Sequence, residues 1–160
     1  MNDEITVEEA KEGLESLGMW MESRYHLHFI GLPIQQWKMP PKEKAFFTFY
    51  AMNIALESDG FDCLKNQPAE DVKEFIKMLK KLDAKKTAAL VQTTLERLRN
   101  GAACDEDGCT EKYYDIVARE KTWVKLLDYV GRKIFVWHLE EAQQIESSGR
   151  NAFDPKAWQD

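Results

Sequence analysis

The stretch PKEKAFFTFYAMNIALES, residues 41–58, decides the fold. Pro41 has the fixed φ that suits a first helical turn. After it, apolar side chains fall on almost every face of the helix rather than on one stripe. A helix that is apolar all round has to be covered all round. The reading is therefore a central, buried helix with the rest of the chain packed about it. Asn53 lies inside that helix and needs an internal hydrogen-bond partner, because an unpaired buried amide is costly.

On the N-terminal side, Thr6 and Glu9 have the spacing of a capping box. Val7, Ala10, Leu14, Leu17 and Met21 then form one stripe, which predicts a first helix over about residues 7–24. HFIGLPIQQWKMPP reads as a connection, since Gly31, Pro33, Pro40 and Pro41 oppose a continuous helix.

On the C-terminal side, Gly60 and Phe61 are expected to form a corner. Gly60 is free to take positive φ and stop the central helix, with Phe61 folding back as the apolar contact of the stop. Glu57, Asp59 and Asp62 beside Asn66 are a further candidate, a small polar cleft. Pro68 opens a third helix, with Val72, Phe75, Ile76, Leu79 and Leu82 inward. Asp83 is placed to cap a fourth, with Ala84, Ala88, Val91, Leu95 and Leu98 inward and Asn100-Gly101 as its stop. Thr110 is expected to cap a short helix from Glu111. A longer one follows from about Thr122, with Trp123, Leu127, Val130, Ile134 and Trp137 at heptad-like spacing. Residues 147–160 read as a tail, either flexible or docked through Phe153 and Trp158. The expected fold is all-α: one domain over residues 1–160, about six helices around a central apolar one.

The composition agrees, with 44% hydrophobic and 31% charged residues and only 8 Gly and 5 Pro. The net charge of −6 is unevenly spread. Residues 1–64 hold 11 acids and 5 bases, residues 65–99 hold 5 and 9, residues 100–120 hold 6 and 2, and residues 121–160 hold 6 of each. Such a chain is not expected to bind nucleic acid directly, because duplex DNA is itself a dense polyanion. The N-terminus has neither the basic start nor the apolar core of a signal peptide. The most apolar run, residues 45–56, is too short to span a bilayer. Three cysteines, Cys63, Cys104 and Cys109, suggest free thiols in a reducing cytoplasm.

Catalytic signatures are scarce. His26 and His28 with Cys104 and Cys109 are a conceivable zinc set, but His-x-His recurs by chance and nothing in the sequence joins the two pairs. A metal-dependent or hydrolytic enzyme built on these residues is the alternative reading. Cys104 and Cys109 also suggest a redox-sensitive pair. His138 beside Trp137 reads more simply as a core histidine than as a base. No nucleophile elbow or phosphate loop is present, so neither an enzyme nor a cofactor is expected. Lys73, Lys77, Lys80, Lys81, Lys85 and Lys86 suggest a phosphate-binding face, or more simply the solvated side of the third helix.

The run from MPPKEKAFFTFYAMNIALESDGFDCLKN through EFIKMLKKLDAKKTAALVQTTLERL resembles the DNA-mimic-protein family, a small helical group. Its members carry an apolar helix, an Asn-Gly-Gly-Phe corner, a later Asn, and a helix ending near Leu-Gly-Ala. Gly60 and Phe61 match the second Gly and the Phe of that corner, with Ser58 and Asp59 in place of Asn and the first Gly. Cys63 replaces a polar residue and Asn66 is displaced by one. Leu82-Asp83-Ala84 corresponds to Leu-Gly-Ala. The resemblance spans about residues 39–99, and more loosely 110–137. It implies an all-helical, non-enzymatic module that binds other proteins. In its sharper form, an acidic surface imitates DNA towards a basic DNA-binding protein. Glu8, Glu12 and Glu15, which share a helical face, and Asp105, Glu106 and Asp107 are the partner-binding candidates.

Overall fold

In a computed structural model of the chain, residues 5–29, 32, 34–102 and 108–159 are described, the side chains of 27–29 and 35 excepted. Seven α-helices occur among them: α1 (Val7–Phe29), α2 (Pro41–Asp59), α3 (Ala69–Lys81), α4 (Lys85–Arg99), α5 (Cys109–Arg119), α6 (Thr122–Val130) and α7 (Arg132–Ser147). Short 3-10 turns span Ile34–Gln36, Phe61–Asn66 and Pro155–Trp158. The described residues contain no strand. The fold is an all-α bundle.

α2 is its axis. Phe46, Phe47, Phe49, Tyr50, Met52 and Leu56 are all buried, and α1, α3 and α6 pack around it, but the expected complete cover is not reached, since Ile54 is exposed. Rings interlock across these contacts: Phe49 lies 5.2 Å from Phe75 of α3 and 5.5 Å, edge-on, from Trp123 of α6. Asn53 finds the partner it requires. The Tyr113 hydroxyl of α5 donates to its Oδ1 at 2.8 Å, and its own amide donates to Glu57 at 3.1 Å.

The first helix begins as expected, with Thr6 and Glu9 exchanging two 3.1 Å hydrogen bonds between side chain and backbone. It runs to Phe29 rather than to about 24, which places His26 and His28 on α1. Gly60 takes φ 74°, and its N–H closes on the Leu56 carbonyl at 2.9 Å. Phe61 is fully buried edge-on to the Tyr113 ring at 5.3 Å. The corner is therefore formed as its two residues suggested.

Other expectations fail for identifiable reasons. Asp83 does not cap α4, because its backbone is left-handed (φ 59°) and Ala84 stands at the cap position without a side-chain bond. The cap comes from Glu120 at the end of α5, whose carboxylate accepts from the Thr87 N–H at 2.7 Å, the Thr87 hydroxyl at 2.6 Å and the Lys86 N–H at 3.2 Å. Thr110 is not a cap either. It is inside α5, which starts at Cys109, and its hydroxyl accepts from the Phe61 N–H at 3.2 Å. The long last helix is two helices. Gly131 (φ 86°) breaks the chain between α6 and α7, so the heptad-like phase ends there and Trp137 is 45% exposed. In the tail, Ala152 and Ala157 are buried and Trp158 packs against the core, its indole N–H donating to the Ala152 carbonyl. Phe153, expected to dock with it, is exposed.

Candidate functional site

Turning Ala10, Leu14, Leu17 and Met21 inward leaves Glu8, Glu12 and Glu15 along the outer side of α1. Glu8 and Glu12 are exposed and the Glu15 side chain is 44% exposed. Seven residues of helix separate the first from the last, about 10 Å of axis. Lys11 bridges Glu15 at 3.7 Å and Glu57 of α2 at 3.3 Å. Near the middle of α1 the two helices come close because Gly18 has no side chain: a Cβ there would meet the Tyr50 ring at 2.5 Å. These two contacts, Lys11 to Glu57 and Gly18 to Tyr50, set α1 and α2 antiparallel.

The Tyr50 phenol reports the field along this seam. Burial pushes its pKa up, the carboxylates of Glu22, Glu15 and Glu57 push it further, and it reaches about 12. The Tyr114 hydroxyl of α5 is also raised, by burial and then by Glu57. Acidity therefore extends from α1 across the C-terminal part of α2 to α5. Met19, Ile54 and Tyr114, one from each helix, are exposed apolar side chains among these acids. Of the cleft expected at the corner, Glu57 turns to Asn53 and Lys11, and Asn66 is exposed. Asp105, Glu106 and Asp107 lie outside the described residues.

A second polar assembly is enclosed. Glu43 of α2 is 4% exposed and His138 of α7 0%, and the His138 Nε2 contacts the Glu43 Oε1. Arg24 of α1 lies 3.2 Å from the other ring nitrogen, Nδ1, and its second guanidinium nitrogen contacts Glu141. A guanidinium only donates, so Nδ1 is the acceptor and the Nε2–H donates to Glu43. The imidazole thus lies between a carboxylate and a guanidinium. Tyr25 also bonds to Glu43, and its phenol is pushed up to about 12 by burial and then by that carboxylate. The Arg24 guanidinium stacks 4.0 Å from the Trp137 ring centroid and 5.1 Å from that of Trp158, so the assembly joins α1, α2, α7 and the terminal turn. His138 is a satisfied core histidine, as its neighbours suggested. Glu43, Arg24 and Glu141 were not singled out. The argument applied to Asn53 also applies to Glu43, another buried polar residue on the central helix.

Two grooves mark the surface. One of about 460 Å³ lies between α3 and α4, with Lys73, Lys77, Lys80 and Arg99 around buried Ile76 and Leu95. The other, about 730 Å³, is bounded by α1, α6 and α7, with Ala10, Gly13, Leu127 and Phe135 among its lining and Glu9 and Arg132 on it.

The zinc set is not assembled by the described residues, which hold no group of three or more potential metal ligands. His26 is half-buried on α1, while the His28 side chain and Cys104 fall outside the description. Cys109 is disulfide-bonded, so the expectation of free thiols fails there, and with it that argument for a reducing compartment. No described helix is long and apolar enough to cross a membrane.

No family model matches this chain, and neither the curated proteins nor the solved structures contain a match.

Proposed function

We propose that this chain is a non-enzymatic protein-binding module that engages a basic, DNA-binding protein through the acidic face of α1. The supporting observation is the disposition of Glu8, Glu12 and Glu15, three outward carboxylates over about 10 Å of one rigid helix. The acids beyond them, Glu22 and Glu57, raise the Tyr50 phenol and so extend the same negative field. Partners of DNA carry Lys and Arg arranged for rows of phosphates. A row of carboxylates on a helix offers them a similar target, with Met19, Ile54 and Tyr114 supplying apolar contact that DNA lacks. By contrast, the buried imidazole–carboxylate pair of His138 and Glu43 has no open face to present to a substrate.

The test is affinity capture from native lysate at low and at high salt. The expected result is a basic DNA-binding protein that is retained at low salt, released at high salt and displaced by duplex DNA. Reversal of Glu8, Glu12 and Glu15 to lysine should abolish its capture. Capture that is unchanged by the reversal overturns the reading.

A further inference from the structure

The α3–α4 groove has a charge pattern that this same chain complements. Lys73, Lys77 and Lys80 follow the spacing i, i+4, i+7 on α3, and all three are exposed. Arg99 adds a fourth cation from the end of α4. None of the four has an ion-pair partner among the described residues. On α1, Glu8, Glu12 and Glu15 repeat the spacing i, i+4, i+7 with the opposite sign. Each row covers about 10 Å of helix. Towards the C-terminus the α1 row continues into an exposed apolar side chain, Met19, four residues after Glu15. The groove carries apolar residues between its cations, Ala69, Ile76 and Leu95. Within one molecule the rows are kept apart, because α1 and α3 each pack against α2.

We infer that the α3–α4 groove is the seat for the α1 stripe of a second copy of this chain. Lys73, Lys77 and Lys80 meet Glu8, Glu12 and Glu15, and Met19 reaches the apolar floor. The contact joins two different faces, so it is heterologous: each copy keeps one free groove and one free stripe, and assembly grows by addition or closes into a ring. Its strength is electrostatic and therefore sensitive to salt. This self-contact uses the same stripe as the proposed external partner but does not depend on that partner existing.

Sedimentation velocity on the full chain tests it. The wild-type mean mass should rise above the 18.6 kDa monomer with protein concentration at low salt. It should return to the monomer at about 1 M salt, where the screening length is about 3 Å. Two variants, K73E/K77E/K80E and E8K/E12K/E15K, should each be monomeric at the same low salt, since each sets like charges against like. An equimolar mixture should associate again, because every stripe then finds a groove of opposite sign, and the mean mass should reach about twice the monomer or more. A wild type that stays monomeric at low salt overturns the inference. So does association that survives high salt, or a mixture that remains monomeric. If a triple variant does not fold, the wild-type salt series and the single Lys77→Glu variant still decide. K73E/K77E/K80E keeps the α1 carboxylates and should still capture a basic partner, which separates failure of this inference from failure of the functional reading.

Discussion

Glu43 and His138, 95 residues apart in sequence, meet inside the bundle with neither side chain open to solvent. Arg24 holds Nδ1 from the other side of the ring, so the Nε2–H is left to donate to Glu43, with the guanidinium charge close by. The arrangement ties α7 to α2 and α1 through directional bonds in a region otherwise held by apolar packing.

Removing one member strands the other. His138→Ala leaves the Glu43 carboxylate with a lost donor and a cavity, and a loss of about 3–5 kcal/mol is expected in urea unfolding. Glu43→Ala should cost a similar amount by orphaning the histidine. Replacing both by leucine should cost clearly less than the sum of the single changes, since neither Glu43 nor His138 is then left buried without the other, although Tyr25 and Arg24 each lose one bond. Additive losses would show that the contact carries no coupling.

Gly18 and Gly13 are both on α1, and alanine should affect them in opposite directions. At Gly18 the new Cβ would sit 2.5 Å from the Tyr50 ring, so α1 and α2 must separate, and about 1–3 kcal/mol should be lost. At Gly13 the nearest atoms are those of the Phe135 ring at 3.5 Å, an ordinary contact. There Gly13→Ala should gain roughly 0.5–1 kcal/mol of helix stability. Thermal melts of the two variants should move apart on either side of wild type.

These positions also show what the sequence could and could not convey. The all-round apolar helix, the Thr6–Glu9 cap, the inward stripes of α1, α3 and α4 and the Gly60–Phe61 corner are local patterns, and local patterns were readable. Gly131 was passed over because a heptad-like run continued across it, yet its positive φ ends the phase and puts Trp137 outside. Asp83 looked like a cap because Asp often is one. The cap instead comes from Glu120, 33 residues beyond Thr87, a separation no local pattern encodes. The Glu43–His138–Arg24 assembly was hidden for the same reason, although burial of α2 alone implied that Glu43 needed partners. Of the candidate site, the α1 stripe was legible from helical spacing. Its continuation to Glu57 and Tyr114 depended on how α1, α2 and α5 pack.

Glu120 makes α4 sensitive to acid. Partial burial pushes its carboxyl up, but bonds from the Thr87 hydroxyl, the Thr87 and Lys86 N–H groups and the charge of Lys125 outweigh this and hold it below the usual range. A depressed acid contributes stability above its unfolded pKa, about 4.3, and loses that contribution as pH falls through the lower folded value. Glu120→Gln should therefore be less stable than wild type at neutral pH, and the gap should close in acid. Glu120→Ala, which removes the cap entirely, should cost about 1 kcal/mol at neutral pH. Urea midpoints across the acid range would check both, and a gap independent of pH would show that the carboxylate charge plays no part.

Tyr50 sets the corresponding limit in base. Its phenol is raised to about 12 by burial and by Glu22, Glu15 and Glu57, whereas an unfolded tyrosine ionises near about 10. The folded state favours the neutral phenol, so its contribution is complete below about pH 10 and is lost as pH rises through the folded value. The wild-type minus Tyr50→Phe difference in phenolate absorbance should show one late step near 12. Glu15→Gln, Glu22→Gln and Glu57→Gln together should move that step down while leaving Tyr25 in place, since Tyr25 is governed by burial and Glu43. A Tyr50 step already complete near the ordinary value would mean that the carboxylates along the α1–α2 seam do not act on one spot. The continuous acidic face would then be three separate surface charges.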